Sequence, residues 1–272
     1  MNKNQNPARA GSQLFEEPGF KEQRRCGIVH RSCAYSFGVT ELDLLQNIDV
    51  GRILIQFAVL LFSLSIHEAS HAWMADLRGD YTARYMGRVS LNPIVHIDPI
   101  GTILFPLLQF FTNFPLIGWA KPVPINPSRL RNPQRDQILV SLAGPGSNLI
   151  AAAVAFILLA AIKMASPQGN DIILHMIGTM RMPQQNSVLV PILGLLFFAF
   201  VINLMLALFN LIPIPPLDGH WLLYALLPYN AGKALERIGS YGIFILYALM
   251  ILGLFSFILL PVRVLLLLLL RL

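Results

Sequence analysis

The stretch ILIQFAVLLFSLSIHEASH, residues 53–71, decides the fold class. Its first fourteen residues carry no charge, and His67, Glu68 and His71 follow before the apolar run ends. A helix of about 20 residues crosses a hydrocarbon core of about 30 Å, and the run is long enough to do so. The stretch therefore predicts a membrane-spanning helix with ionisable side chains near one end.

Further uncharged stretches follow along the chain: residues 99–120, 137–162, 182–217 and 238–262. Backbone polar groups in lipid must be satisfied within the segment, so we expect these spans to be helices. Pro106 and Pro115 interrupt the first of them, which could be kinked or re-entrant. The pattern predicts an all-α polytopic membrane protein with four to six transmembrane helices and re-entrant or loop segments between them.

Composition supports a membrane protein over a soluble enzyme. Of the 272 residues, 55% are hydrophobic and only 12% are charged, against about 25% charged in soluble domains. The net charge of +6 indicates membrane orientation and contact with anionic lipids. A solvated basic face remains an alternative for the N-terminal part. We expect no nucleic-acid partner, because basic and aromatic residues do not combine in a recognition pattern.

The first 50 residues differ from the rest of the chain. They are polar and contain no apolar core typical of a signal peptide. We expect residues 1–50 to be an extension that could be flexible, and residues 51–272 to form the membrane domain. Both cysteines, Cys26 and Cys33, lie in the extension, where two free thiols are favoured over a disulfide bridge. An overlong start site would also explain residues 1–41.

His67-Glu68-Ala69-Ser70-His71 has the form H-E-x-x-H. Residues i and i+4 share one helical face, so two imidazoles can hold one metal with Glu68 beside them. Zinc suits such ligands. Counted from Arg52, His67 lies about 23 Å along a helix that rises 1.5 Å per residue, where ionisable groups are costly and usually functional. The alternative is a polar cluster satisfied by a neighbouring helix.

A third zinc ligand must come from elsewhere in the chain, and Asp218 is the best candidate. It is the first charge after a long apolar run, and the prolines before it together with Gly219 predict an exposed turn. An unpaired carboxylate there would be unfavourable, and a metal would satisfy it. The alternative is an ordinary loop aspartate at the membrane surface.

Other candidates for the third ligand are weaker. Asp76 and Asp80 lie at or past the end of the histidine helix and point away from the histidine face. His96 and Asp98 in a connecting loop are possible ligands, but both are better explained as caps of the next segment, because Asp-Pro before an apolar run is a helix-start signal. His220 adjoins Asp218, yet neighbouring residues in a turn usually diverge, so we rank it as a bystander.

In order along residues 42–225, several motifs resemble the site-2 protease family of intramembrane zinc metalloproteases, in its small prokaryotic branch without a PDZ domain. Besides H-E-x-x-H they are GRVSLNP (87–93) with HIDP (96–99), GWAKPVPINP (118–127), AGPGSN (143–148) and NLIPIPPLDG (210–219). The resemblance implies that His67, His71 and Asp218 bind one catalytic Zn²⁺ and that Glu68 activates water. It also implies a role for Asn148.

Three polar side chains within the apolar runs leave alternatives open. The Asn148 amide could stabilise an oxyanion or make an interhelical hydrogen bond, and we weigh the two equally. Asn210 could orient a metal ligand by a hydrogen bond to it, whereas Asn203 is better explained as structural.

The activity implied by this resemblance is hydrolysis of peptide bonds within or near transmembrane segments of membrane-anchored substrates. One alternative is a non-proteolytic membrane metal-binding transporter or scaffold, for which a base at Glu68 has no use. Another is a membrane zinc protease whose third ligand is a downstream Glu, but Glu236 lies outside any motif. Expected partners are transmembrane proteins or peptides and membrane lipids. The sequence does not determine the oligomeric state.

The loops carry three further hypotheses. Residues 119–127 are too rich in proline for a helix and could form an edge strand or re-entrant loop that pairs with unwound substrate, or a plain surface connection. Arg88, Ser90 and residues 92–98 could line a path for water. If residues 99–120 are re-entrant, the basic clusters before and after them lie on one face of the membrane. We expect the active site to open toward the cytoplasmic side of the cell membrane.

Overall fold

A computed structural model describes residues 49–112, 118–228, 231–232, 235, 237 and 239–272. The expectations for the N-terminal extension, including Cys26 and Cys33, lie outside these residues. All the regular elements of the described chain are helical. The α-helices are α1 (Val50–Leu77), α2 (Thr82–Tyr85), α3 (Phe105–Thr112), α4 (Pro133–Ala165), α5 (Pro167–Thr179), α6 (Leu189–Asn210), α7 (Gly219–Leu226), α8 (Gly242–Ile251) and α9 (Leu254–Arg271).

Helices α1, α4 and α6 are each long and apolar enough to cross a membrane. Helices α8 and α9 add a fourth span if the pair, bent by 61°, is counted as one. The polytopic helical class is thus confirmed, but the described residues contain three spans, or four with the bent pair, against the expected four to six. In the stretch that begins at Pro99, the described residues form a π-helical turn, Pro99–Leu104, followed by the short α3.

The three long helices pack on one another and form the core. Its fully buried large side chains come mainly from α4, α5 and α6 and include Leu159, Ile173, Met176, Leu193, Phe197 and Phe200. Large apolar residues such as Phe62, Ile150 and Ile157 are exposed on the outer faces. Lipid is as apolar as these side chains, so close packing and polar contacts, rather than exclusion of water, hold such helices together.

Helix α5 is an element that the sequence analysis did not predict. Ser166 is its N-cap and accepts a hydrogen bond from the Gly169 backbone N–H at 3.1 Å, and Pro167 occupies the first turn. The helix buries Ile173 and Met176 against the core. The Ser-Pro pair is a helix-start signal that was available in the sequence.

The basic clusters on either side of residues 99–120 lie at the same end of α1. The Arg131 backbone N–H donates to the Arg78 carbonyl at 3.0 Å, and the Asn126 N–H donates to Asp80 Oδ2 at 2.6 Å. Helix α4 therefore starts where α1 ends and runs back along it. This proximity agrees with the hypothesis that both clusters share one face of the membrane, which stays a prediction.

Polar side chains in the loop between α2 and α3 make hydrogen bonds to the backbone of the same loop. Asp98 Oδ1 accepts from the Ile100 and Gly101 N–H groups at 3.0 and 2.8 Å, as expected for a helix cap. His96 does not cap the helix, because its Nε2 donates to the Ser90 carbonyl at 2.8 Å. Arg88 is buried and donates to the carbonyls of Val95 and Pro122. These contacts favour a structural role over the expected lining of a water path.

Candidate metal centre

The two histidines lie on the last three turns of α1, and Asp218 reaches them from the turn between α6 and α7. This turn is tight, since a Cβ on Gly219 would lie 2.3 Å from the Leu211 carbonyl oxygen. Prolines between these positions prevent α6 from continuing. The chain is thereby forced to return toward α1, with the carboxylate of Asp218 directed at the histidine pair.

The three side chains converge to a small triangle of ligand atoms. His67 Nε2 and His71 Nε2 are 3.1 Å apart, and they lie 3.1 and 3.3 Å from Asp218 Oδ2. Tetrahedral zinc with bonds of about 2.0–2.1 Å to nitrogen places its ligand atoms about 3.3 Å apart. The triangle fits that geometry within about 0.2 Å. Asp218 Oδ2 is also buried and receives no hydrogen bond from the part of the chain that the structure describes, which suits a metal ligand.

The other ring nitrogens of the two histidines are held from helix α4. His71 Nδ1 donates to the Val140 carbonyl at 2.7 Å, and His67 Nδ1 is 3.1 Å from Asn148 Oδ1. A proton on each Nδ1 leaves each Nε2 lone pair facing the triangle. Such partners fix the ring orientation and the tautomer that binds a metal. Both imidazoles are buried.

Asn148 lies in a chain of side-chain hydrogen bonds that joins three helices. Its Nδ2 donates to Asn203 Oδ1 at 3.2 Å, and Asn203 Nδ2 donates to Ser63 Oγ at 2.9 Å. With its oxygen directed at His67 and one amide N–H donated to Asn203, Asn148 is arranged as a positioning residue. This arrangement favours the interhelical hydrogen bond over the oxyanion donor, and it assigns Asn203 the structural role expected of it.

Gly144 provides the space for the two imidazoles. A Cβ at this position would lie 2.3 Å from His71 Nε2 and 2.8 Å from His67 Cε1. Even the smallest side chain would therefore enter the ligand triangle. This close approach explains why α4 carries a glycine here, four residues before Asn148 and on the same face.

Glu68 lies beside the triangle and contacts the segment formed by residues 118–126. Its Oε2 accepts a hydrogen bond from the Val123 backbone N–H at 3.1 Å. Both residues line a cavity of about 400 Å³ that also contains the two histidines and Asp218. Residues 118–126 form neither helix nor strand. The edge strand expected here is thus absent from residues 118–126 in this structure. Pairing of this segment with an unwound substrate stays a prediction.

The remaining candidate ligands lie away from the triangle. Asp76 pairs with Arg84, and the ring Nδ1 of His220 is 2.5 Å from the Leu217 carbonyl oxygen. Asn210 makes no hydrogen bond to a metal ligand among the described contacts. Its amide donates instead to the Leu206 carbonyl of the preceding turn at 2.9 Å.

Asp80, just past the end of α1, accepts hydrogen bonds from the neighbouring loops. Burial opposes its ionisation, but hydrogen bonds from the Thr82 hydroxyl and from the Asn126 and Thr82 backbone N–H groups outweigh burial and hold the pKa of Asp80 below its ordinary value of 3.8. Asp80 thus joins the two basic loops and does not approach the metal site.

Two serines near the site were not predicted from the sequence. Ser63 ends the hydrogen-bond chain from His67, and Ser141 Oγ donates to the Asp218 backbone carbonyl at 2.7 Å. Ser63 lies one helical turn before His67 on the same face of α1. A buried hydroxyl at that spacing within an apolar run was a usable signal.

Comparison with known proteins supports the same chemistry. The family model described as "Peptidase family M50" matches residues 55–254. The chain belongs to peptidase family M50. It is 37% identical over 204 residues to "Putative zinc metalloprotease YwhC" of Bacillus subtilis, a match that covers 74% of this chain and 82% of that protein.

Two further relatives carry the name "Putative zinc metalloprotease Rip2". The protein from Mycolicibacterium smegmatis is 28% identical over 74% of this chain and 68% of its own length. The protein from Mycobacterium tuberculosis strain H37Rv is 28% identical over 73% and 67%, respectively. No solved structure matches the chain. The family and these names support a metalloprotease, and zinc is the metal that the relatives' names give. The apolar helices α1, α4 and α6 support a multi-pass membrane protein.

Proposed function

We propose that this M50 protein hydrolyses peptide bonds within or next to transmembrane segments, at a zinc ion held by His67, His71 and Asp218. The observation that carries the proposal is the convergence of their three ligand atoms within 4.8 Å of one another. Glu68 lies on the wall of the same cavity. A metal transporter or scaffold needs the ligands but has no need of this carboxylate.

Zinc, when bound there, supplies a Lewis acid that makes water more acidic and polarises a peptide carbonyl. Glu68 is placed to accept a proton from the attacking water and to pass it to the leaving amine. The Val123 N–H fixes one carboxylate oxygen, which leaves the other oxygen for proton transfer. Asn148 and the Val140 carbonyl hold the imidazoles in place during these steps.

The substrate must be locally unwound, because a helix in lipid hides its peptide bonds in its own hydrogen-bond ladder. Residues 118–126, which form neither helix nor strand, border the cavity. We propose that this segment pairs with the unwound substrate backbone. Replacement of residues 121–126 by a glycine-serine linker should abolish cleavage while zinc remains bound, and normal cleavage by that variant would exclude the pairing.

The decisive experiment is the variant Glu68→Gln. A general base contributes about 10²- to 10⁴-fold to the rate, so cleavage of a membrane-anchored reporter should fall by at least that lower factor while zinc content stays at one per chain. Asp171→Asn makes the same chemical change at an exposed residue of α5 and should leave cleavage unchanged. Full activity in Glu68→Gln would refute the mechanism.

We further propose that the site opens toward the cytoplasm. Basic residues are concentrated at the end of the bundle that holds the site: Arg78, Arg84, Arg88, Lys121, Arg129, Arg131 and Arg135. Such loops usually face the cytoplasm. In a cysteine-free background, a membrane-impermeant maleimide applied to intact cells should label Gln185→Cys, at the opposite end, and spare Ser128→Cys. The reverse pattern would overturn this orientation.

A further inference from the structure

A second cavity of about 330 Å³ adjoins the catalytic cavity. Gln137 and Trp221 line both cavities. Residues 118–126 border the first cavity through Val123 and Ile125, and Pro127, which begins the 3₁₀ turn after them, lines the second. A peptide that runs beside this segment would pass from the catalytic cavity into the second one.

Gln137 has a buried acceptor without a donor. Gln137 is 8% exposed, and its Oε1 has no hydrogen-bond partner among the described residues. Most buried polar atoms in folded proteins are hydrogen-bonded, so an unpartnered oxygen on a residue that lines both cavities leaves an acceptor for a donor that enters them. The backbone N–H of an extended peptide is such a donor.

The position of Gln137 on α4 sets which substrate residue it would meet. Gln137 precedes Gly144, the residue packed against both imidazoles, by seven residues, which is close to two helical turns. Both residues therefore lie on one face, about 10 Å apart along the axis. An extended chain advances about 3.3 Å per residue. For a substrate that runs along α4 and is cut beside the two imidazoles, Gln137 would thus lie about three residues from the cut bond.

The second cavity is lined mainly by apolar and aromatic side chains, among them Pro133, Ile138, Trp221 and Tyr224. Trp221 and Tyr224 pack edge to face, with ring centroids 5.8 Å apart. Such a wall suits a large apolar side chain and not a charged one.

We propose that Gln137 and the second cavity form a substrate subsite for the extended polypeptide about three residues from the cut bond. Gln137 Oε1 accepts a backbone N–H there, and the second cavity receives an apolar side chain. This inference rests on the proposed proteolytic function and adds where, and by what chemistry, the substrate flank is held.

The test uses the full-length chain in detergent and a synthetic peptide with a Leu/Ala membrane segment interrupted by Asn-Gly. Backbone N-methylation, applied to one residue at a time on either side of the cut, removes single N–H donors. At one position about three residues from the cut, N-methylation should lower wild-type kcat/KM by about 3- to 10-fold, the value of one hydrogen bond. In Gln137→Leu that penalty should vanish.

Gln185→Leu, at an exposed residue far from both cavities, is the matched control and should keep the wild-type pattern. An N-methylation pattern in Gln137→Leu that equals the wild-type pattern at every position would overturn the proposal. If Gln137→Leu fails to fold, Ile138→Trp decides. It fills the second cavity and should slow cleavage only of peptides with a large apolar residue at that position, and equal cleavage of large and alanine peptides would refute the subsite.

These outcomes separate the two proposals. If the wild-type chain cleaves no peptide in the set, or Glu68→Gln cleaves as well as wild type, the proteolytic function fails and the subsite with it. If the wild-type chain cleaves and Glu68→Gln does not, an unchanged N-methylation pattern in Gln137→Leu rejects the subsite alone.

Discussion

Replacing Gly144 by alanine should destroy the metal site without unfolding the protein. The new methyl carbon would lie 2.3 Å from His71 Nε2 and 2.8 Å from His67 Cε1. An ordinary contact needs at least 3.4 Å, so the His71 ring must move by about 1.1 Å. Its Nδ1 is tied to the Val140 carbonyl at 2.7 Å, which opposes that movement.

The size of the His71 displacement decides how much zinc affinity should be lost. Zinc–ligand distances vary by about 0.2 Å in working sites, and a shift of about 1.1 Å is roughly five times larger. Mutations that merely disturb the orientation of a ligand lower metal affinity or activity by about 10- to 100-fold. Gly144→Ala displaces a ligand atom itself, so we expect zinc affinity to fall by at least about 100-fold.

The assay is zinc content after competition with a graded series of chelators, measured on the purified full-length chain. Gly146→Ala is the matched control, because it adds a methyl to the same helix with nothing within 4 Å. Alanine has the higher helix propensity, so both variants should retain helical content by circular dichroism. Gly144→Ala with wild-type zinc affinity would refute the packing argument and the placement of the histidines against α4.

Two further predictions concern side chains that support the site and its loops. Asn148→Ala removes the oxygen that faces His67 Nδ1 and should weaken zinc binding by about 10- to 100-fold, and unchanged chelator competition would contradict this. Asp80→Asn should lower the free energy of unfolding by about 1–3 kcal/mol, because the Asn126 N–H loses its carboxylate. Because folding lowers the pKa of Asp80, the ionised carboxylate stabilises the folded state above about pH 4, and this stabilisation is lost as the pH falls through the folded pKa. Wild type should therefore lose more thermal stability on acidification than Asp80→Asn. Equal acid sensitivity of the two proteins would exclude this role.

The long helices could be predicted because lipid imposes a simple rule on the chain. A run of about 20 uncharged residues has to hydrogen-bond internally, and α1, α4 and α6 follow from three such runs. The limits of the rule appear where prolines enter. Residues 99–120 have the length of a span, yet they contain only a π-helical turn and the short α3 in the described part of the chain.

In the site, too, features within one helix could be predicted and contacts between distant segments could not. The helical repeat of 3.6 residues brings His67 and His71 to one face, so this pair was predictable from spacing alone. Asp218 was a candidate because a charge after a long apolar run needs a partner. The hydrogen-bond chain through Asn148, Asn203 and Ser63 was not predictable, because it joins residues that lie 55 and 140 positions apart in the sequence.

By itself the sequence determined the membrane class, the histidine pair with Glu68 and the site-2 protease resemblance, because each depends on composition or on short spacing within one segment. Only the tertiary structure decided how close Asp218 comes to the pair, which partner orients each imidazole, why Gly144 has no side chain and how Gln137 stands between two cavities. These features depend on how α4 and α6 pack against α1, and packing sets distances between side chains that no local repeat contains.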